Sequence, residues 1–231
     1  MNSETIGTVV ALSLLVFTGF FYGTKFLRAG NVLLGLEWWI LAFSASNGVV
    51  FFLSGFQPSY ATMMFCDAFS RTVGVPIIAT IGLMQVTHGV RPSLFVDTLL
   101  FGVGAVVALV ILNVAAVGAW LPIGSIVLGL FNQWILVVMI GKLWRLDQRA
   151  LAAALTITLI AFVIISFADG IFEIPNPDHS PLLNFLVLAC TTWAFGFAVI
   201  FYAYRAIEKA NATGVPANSH LAQAPARRNF S

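Results

Sequence analysis

Seven apolar stretches separated by short polar turns run along the chain, at residues 5–27, 31–55, 60–88, 93–113, 121–143, 150–174 and 181–205. At ~1.5 Å of rise per residue, each is long enough as a helix to cross a hydrocarbon layer ~30 Å thick. The pattern predicts an all-α integral membrane protein, a seven-transmembrane-helix bundle. The turns leave no room for a soluble domain, so residues 1–209 are read as one transmembrane domain. From Ala210 onward the residues are small, polar and interspersed with proline, and residues 210–231 are expected to form a disordered cytoplasmic tail. The first stretch follows a single acid, Glu4, with neither a basic leader nor a small-residue cleavage pattern, and so reads as a retained helix.

The third stretch differs from the others because it carries Asp67, Arg71 and Gln85 inside an otherwise apolar run. An ionisable side chain at bilayer depth costs roughly 2.5 to 3.5 kcal/mol on insertion scales, and it faces a bundle interior or a watery cavity. Asp67 and Arg71 are four residues apart on one helical face, a spacing at which they can form a charge-assisted hydrogen bond. Counting five turns of 3.6 residues from Asp67 returns Gln85 to that face, with Gly74 and Gly82 near it. Pro76 has no N–H, and its ring meets the carbonyl of Thr72, which predicts a hinge just past Arg71.

Composition and charge agree with a membrane bundle and orient it. Hydrophobic residues make up 60 % of the chain and charged residues 9 %, with a mean hydropathy of +0.97, a balance that leaves too few charges to clothe a soluble core. Ten of the eleven basic residues follow the first, third, fifth and seventh stretches or open the sixth: Lys25, Arg28, Arg91, Lys142, Arg145, Arg149, Arg205, Lys209, Arg227 and Arg228. The exception is Arg71. Basic loops stay cytoplasmic, so the N-terminus is expected outside and the C-terminus inside. The first and fifth stretches end YGTKFLR and MIGKLWR, and the second and sixth each hold an acid or amide before Gly and a proline turn, an echo consistent with a parallel 3+1+3 repeat.

Other stretches offer polar positions that can meet the Asp67 and Arg71 stripe. The second carries Glu37, Ser44, Asn47 and Gly48; the fifth carries Asn132 and Gln133; the sixth carries Ser166, Asp169 and Glu173. The candidate solute or proton path is therefore Asp67, Arg71, Asp169, Glu37, Gln85, Asn47 and Asn132, with Pro76 as its hinge. Asp67, Arg71 and Asp169 are the strongest members, since Ser, Asn or Gly would serve pure helix packing at lower cost. Glu37 and Glu173 also suit the simpler role of interface carboxyls in contact with water. Trp134 and Trp193 fall at mid-membrane, where either can line a ligand pocket.

Several chemistries lack their residues. The seventh stretch has no Lys for a retinal Schiff base, and His88 and His179 fall at opposite membrane faces, unsuited to haem or zinc. There is no GxSxG elbow and no phosphate-binding Gly loop. Cys66 and Cys190 follow no CxxC pattern and read as packed thiols. No cofactor, metal or nucleic-acid partner is expected; the expected partners are the lipid bilayer and a small-molecule solute or lipid. Three functions fit this pattern: a small-solute transporter or permease of a bacterial-type inner membrane, possibly proton-coupled; an intramembrane enzyme acting on a lipid or isoprenoid through buried carboxylates; and a seven-helix sensor or assembly partner.

Overall fold

The computed structural model describes residues 3–170, 180 and 183–213. Its long helices are α1 (Ser3–Arg28), α2 (Val32–Ser54), α3 (Gln57–Thr87), α4 (Leu94–Asn113), α5 (Leu121–Arg145), α6 (Arg149–Gly170) and α7 (Phe185–Thr213), and no strand occurs among the described residues. All seven are long and apolar enough to cross a membrane, which makes this a multi-pass membrane protein. A single turn of helix, Ala115–Gly118, joins α4 to α5.

Local chemistry sets the helix ends. Gly30, Gly55 and Gly89 take positive φ (79°, 70° and 71°) just past α1, α2 and α3, a conformation that glycine adopts without a Cβ penalty. Pro58 and Pro122 sit in the first turns of α3 and α5, where no intrahelical N–H is needed. Asn31 caps α2 by accepting from the Leu34 N–H at 3.1 Å while its amide donates to the Gly82 carbonyl at 2.8 Å, so one buried side chain pins the α1–α2 turn to α3. Asn184 caps α7 through the Leu186 and Val187 N–H groups, at 3.0 and 3.3 Å. The last helix runs on to Thr213, beyond the expected domain end at residue 209, and Asn211 donates to the Val86 carbonyl at 2.9 Å. The remaining tail lies outside the described residues.

Six helices close a ring in the order α1, α2, α3, α5, α6, α7, with α7 returning to α1. Outside it, α4 leans on α3 and presents Leu94, Phe95, Leu99, Val103 and Val106 outward, where lipid is their natural solvent. The most enclosed helix is α3, whose apolar span is 67 % buried against 11 % for α4. Because lipid tails are as apolar as leucine, close packing rather than the hydrophobic effect must hold the helices together. Two features supply it. Trp38 of α2 stacks on Phe197 of α7 at 4.4 Å and meets Phe26 of α1 edge-on at 4.6 Å, joining three helices. On the α1–α2 seam, a Cβ added at Gly23 would fall 2.6 Å from Cδ1 of Trp39 and 3.0 Å from the Gly35 carbonyl, so only glycine permits that approach.

The basic helix ends gather at one end of the bundle. Lys25 lies 5.3 Å from the Phe201 ring centroid, Asn211 reaches Val86, and the Lys142 ammonium donates to the Thr87 carbonyl. These contacts bring the C-terminal ends of α1, α3, α5 and α7 together.

At Pro76 the helix changes its pairing without ending. Ser70–Ala79 forms a π-helix inside α3, and the coil continues through it into Thr80–Thr87. In π pairing each N–H reaches back five residues, which widens the coil around a proline ring that would crowd an α-helix. The helical phase slips as a consequence. A count of 3.6 residues per turn from Asp67 therefore does not carry across to Gln85.

Substituting Gly23→Val should lower unfolding stability by roughly 1 to 3 kcal/mol, the usual range for overpacking, whereas Gly102→Val, which meets nothing within 4 Å, should leave it unchanged. Denaturant titration of both variants in detergent micelles checks the contrast.

Candidate functional site

The ring encloses a cavity of about 440 Å³. Every helix except α4 contributes to its wall. The lining positions fall early in α1, α5 and α7, late in α6, and in the middle of α2 and α3, which places the cavity toward the end of the bundle opposite the basic helix ends. Its body is apolar: Leu12 and Leu15 from α1, Leu41 from α2, Met63 and Met64 from α3, and Trp193 from α7. Set into that wall are Asp67, Ser70 and Arg71 of α3, with Ser44, Ser125 and Ser166 facing from α2, α5 and α6.

Asp67 and Arg71 form the ion pair that their spacing allows, with Nη1 of Arg71 3.5 Å from Oδ2 of Asp67. That separation is long for a charge-assisted hydrogen bond. The side chains remain 43 % and 25 % exposed respectively, and the exposed part is directed at the cavity. Asp67 is not the sole partner of Arg71. The pair therefore presents both signs of charge to a space large enough for a small organic molecule.

Directly beside the cavity wall lies Glu37, in α2, with none of its surface exposed. Neither of its carboxyl oxygens has a hydrogen-bond partner, nor does the Ser70 hydroxyl beside it. Gly74 makes the position possible, because a Cβ there would run into the Glu37 carboxyl group. Ser70 both lines the cavity and stands against Glu37. Asp67, Ser70, Arg71 and Gly74 follow i, i+3, i+4, i+7 spacing, so Ser70 was recoverable from the stripe on which sequence reasoning noted only its three neighbours.

The other expected site residues are placed differently. Asn132 of α5 is 6 % exposed and donates to the Val75 carbonyl at 3.4 Å and to the Thr80 hydroxyl at 3.5 Å, gripping the π segment rather than lining the cavity. Pro76 lies within that segment and touches the cavity. Asn47 bonds back to the Phe43 carbonyl of its own helix at 2.9 Å, outside the lining, and Gln85 lies past the π segment toward the basic end. Asp169 occupies the last turn of α6, but its side chain lies outside the described residues, as does all of Glu173. Of the two mid-membrane tryptophans, Trp193 lines the cavity and Trp134 faces outward. Cys190 lines the cavity too, and both cysteines are free thiols.

No protein-family model, curated protein or solved structure matches the chain.

Asn132→Leu removes both donors to the π segment at similar volume and should lower stability by about 1 to 2 kcal/mol, since each hydrogen bond is worth ~1 kcal/mol net. Asn47→Leu, whose amide serves only its own helix, should change it by less than about 0.5 kcal/mol. Chemical unfolding followed by far-UV circular dichroism separates the two.

Proposed function

We propose that the chain is a small-solute carrier, a permease for a small organic ion, with the Asp67 and Arg71 cavity as its binding site. The observation that carries this reading is an apolar space of about 440 Å³ into which an ion pair is turned, 3.5 Å between its closest atoms. Intramembrane ionisable groups that face a cavity mark substrate and ion pathways. A solute with one ionised group would replace solvent at Asp67 or Arg71 while its apolar body lies against Leu41, Met63 and Trp193.

The carrier sits with its N-terminus outside and its C-terminus in the cytoplasm of a bacterial-type inner membrane, a placement supported by the basic residues gathered at one end. The cavity then faces outward. The ring also supports two three-helix units, α1–α3 and α5–α7, joined by a peripheral α4, in the manner of a parallel 3+1+3 repeat.

A second reading is favoured by the apolar share of the wall, which suits a lipid or isoprenoid chain. In that case Asp67 would serve as the acid or base of an intramembrane enzyme.

The test is a thermal-stability screen of purified protein against small carboxylates, amines and zwitterions, followed by counterflow of any stabilising compound in proteoliposomes. Binding and counterflow should both fall at least tenfold in Asp67→Asn and Arg71→Ala, a loss of about 1.4 kcal/mol or more. A stabilising compound recovered chemically altered would favour the enzyme, and one indifferent to both substitutions would remove the cavity from the mechanism.

Orientation has its own check. With Cys66 and Cys190 replaced by alanine, Ser166→Cys should react with a membrane-impermeant thiol reagent added outside intact cells, and Arg145→Cys only after permeabilisation.

A further inference from the structure

We propose that Glu37 is the proton-carrying group of this protein and that Ser70 passes its proton to and from the cavity. The proposal rests on the carrier reading for its role as coupling site, but its geometry stands apart from the Asp67 and Arg71 pair. Glu37 is completely enclosed, both of its carboxyl oxygens lack a hydrogen-bond partner, and the Ser70 hydroxyl beside it is equally without one. A buried carboxylate left without a counter-charge costs several kcal/mol, so something that the described residues do not supply must complete the site.

The surroundings limit what that can be. Three helices pack against α2: α1 and α3 along its length, and α7 through the Trp38–Phe197 stack. The titratable groups on the buried face of α7 are Cys190, a free thiol, and Tyr204, neither of them a cation. The buried face of α1 is Thr8, Ala11, Leu12, Leu15, Gly19, Gly23 and Phe26, none of them titratable. On α3 the titratable groups turned toward the interior are Cys66, Asp67 and Arg71. Asp67 and Arg71 are engaged with each other at 3.5 Å, and Cys66 is a buried free thiol. No cation reaches Glu37 in an ion pair among the described residues. A metal ion such as sodium would need five or six oxygens at bonding distance. Here the side chains offer three, the two of Glu37 and the one of Ser70, packed against the bare backbone of Gly74 with no cavity surface of their own at Glu37. A proton needs no volume and only one oxygen.

Ser70 gives that proton a route. A hydroxyl donates one hydrogen bond and accepts others by rotating, so it can take a proton on one side as it releases one on the other. Ser70 belongs to the cavity wall and its hydroxyl stands beside the carboxyl group. In outline, a hydronium in the cavity gives a proton to Oγ of Ser70 while its own hydroxyl proton passes to the Glu37 carboxylate. This leaves water in the cavity, a neutral carboxylic acid at Glu37 and an unchanged hydroxyl between them; release runs in reverse.

Infrared difference spectroscopy of the purified protein in lipid vesicles tests this without knowledge of the solute. Wild-type protein should show a protonated-carboxyl C=O band that disappears as the buffer is made alkaline and shifts on transfer to deuterated water. The band should be lost in Glu37→Gln and kept in Asp67→Asn. In Ser70→Ala the band should remain but exchange its proton about tenfold more slowly or worse, a barrier increase of ~1.4 kcal/mol. If Glu37→Gln does not fold, the wild-type exchange and the Ser70→Ala rate decide the matter alone.

A band that neither titrates nor exchanges would make Glu37 a fixed structural carboxyl and overturn the proposal. Displacement of the band by sodium chloride but not choline chloride would replace the proton with sodium. A normal result with no solute counterflow would sink the carrier reading and leave Glu37 as a proton site; counterflow without the band would do the opposite.

Discussion

A chain inside lipid must satisfy its own backbone polar groups, because hydrocarbon offers no hydrogen bonds. In this protein that constraint is sharpest at Pro76, which lacks an N–H at the centre of the most enclosed helix. Around Pro76, side chains add hydrogen bonds to backbone carbonyls of this helix. The Thr72 hydroxyl donates to the Ala68 carbonyl at 2.7 Å, and Asn132 reaches across from α5 to the Val75 carbonyl. Much of the bundle is organised by this arrangement, since α2, α4 and α5 all pack directly against the π segment.

Both chemically distinctive places in the molecule lie on that segment or immediately before it. Ser70, Arg71 and Pro76 contribute to the cavity wall, and Gly74 accommodates the carboxyl group of Glu37. An α-helix with a larger residue at position 74 would exclude Glu37 from the interior. The widened coil and the missing side chain therefore allow an acid on α2 to sit next to a cavity that it does not itself line. The cavity and the Glu37 carboxyl are separated by Ser70 alone, so a change of charge at one alters the electrostatic surroundings of the other in a medium of low dielectric constant.

Elsewhere the bundle is held by contacts that lipid cannot imitate. The Phe26, Trp38 and Phe197 group contributes ~0.5 to 1.5 kcal/mol per aromatic pair beyond simple area, and the glycines of the α1–α2 seam let two backbones approach closely. The contrast with α4 is instructive. It is among the most apolar helices in the chain and also the least buried, since apolarity in lipid marks what faces outward as readily as what faces in.

The number and length of the crossings were legible in the sequence because continuous apolarity over about twenty residues has few other uses. The central importance of the third helix was legible too, since charges are tolerated at that depth only where the bundle can surround them. That Asp67 and Arg71 can pair followed from i, i+4 spacing within one stretch of helix, a local property, but the spacing left open which acid Arg71 pairs with. What crossed the π segment was not legible: the 3.6-residue count toward Gln85 assumes a uniform coil, and Pro76 changes it. Nor could periodicity place Glu37 against Gly74, or turn Asn47 onto its own helix while Asn132 reached α3. Those outcomes depend on how separate helices rotate about their axes as they pack, which is set by the fit of side chains across helix seams. The sequence by itself determined that the chain spans a membrane and carries ionisable groups within it; only the tertiary structure decided which of them share a cavity and which is sealed beside it, because that choice belongs to packing between helices rather than to any one of them.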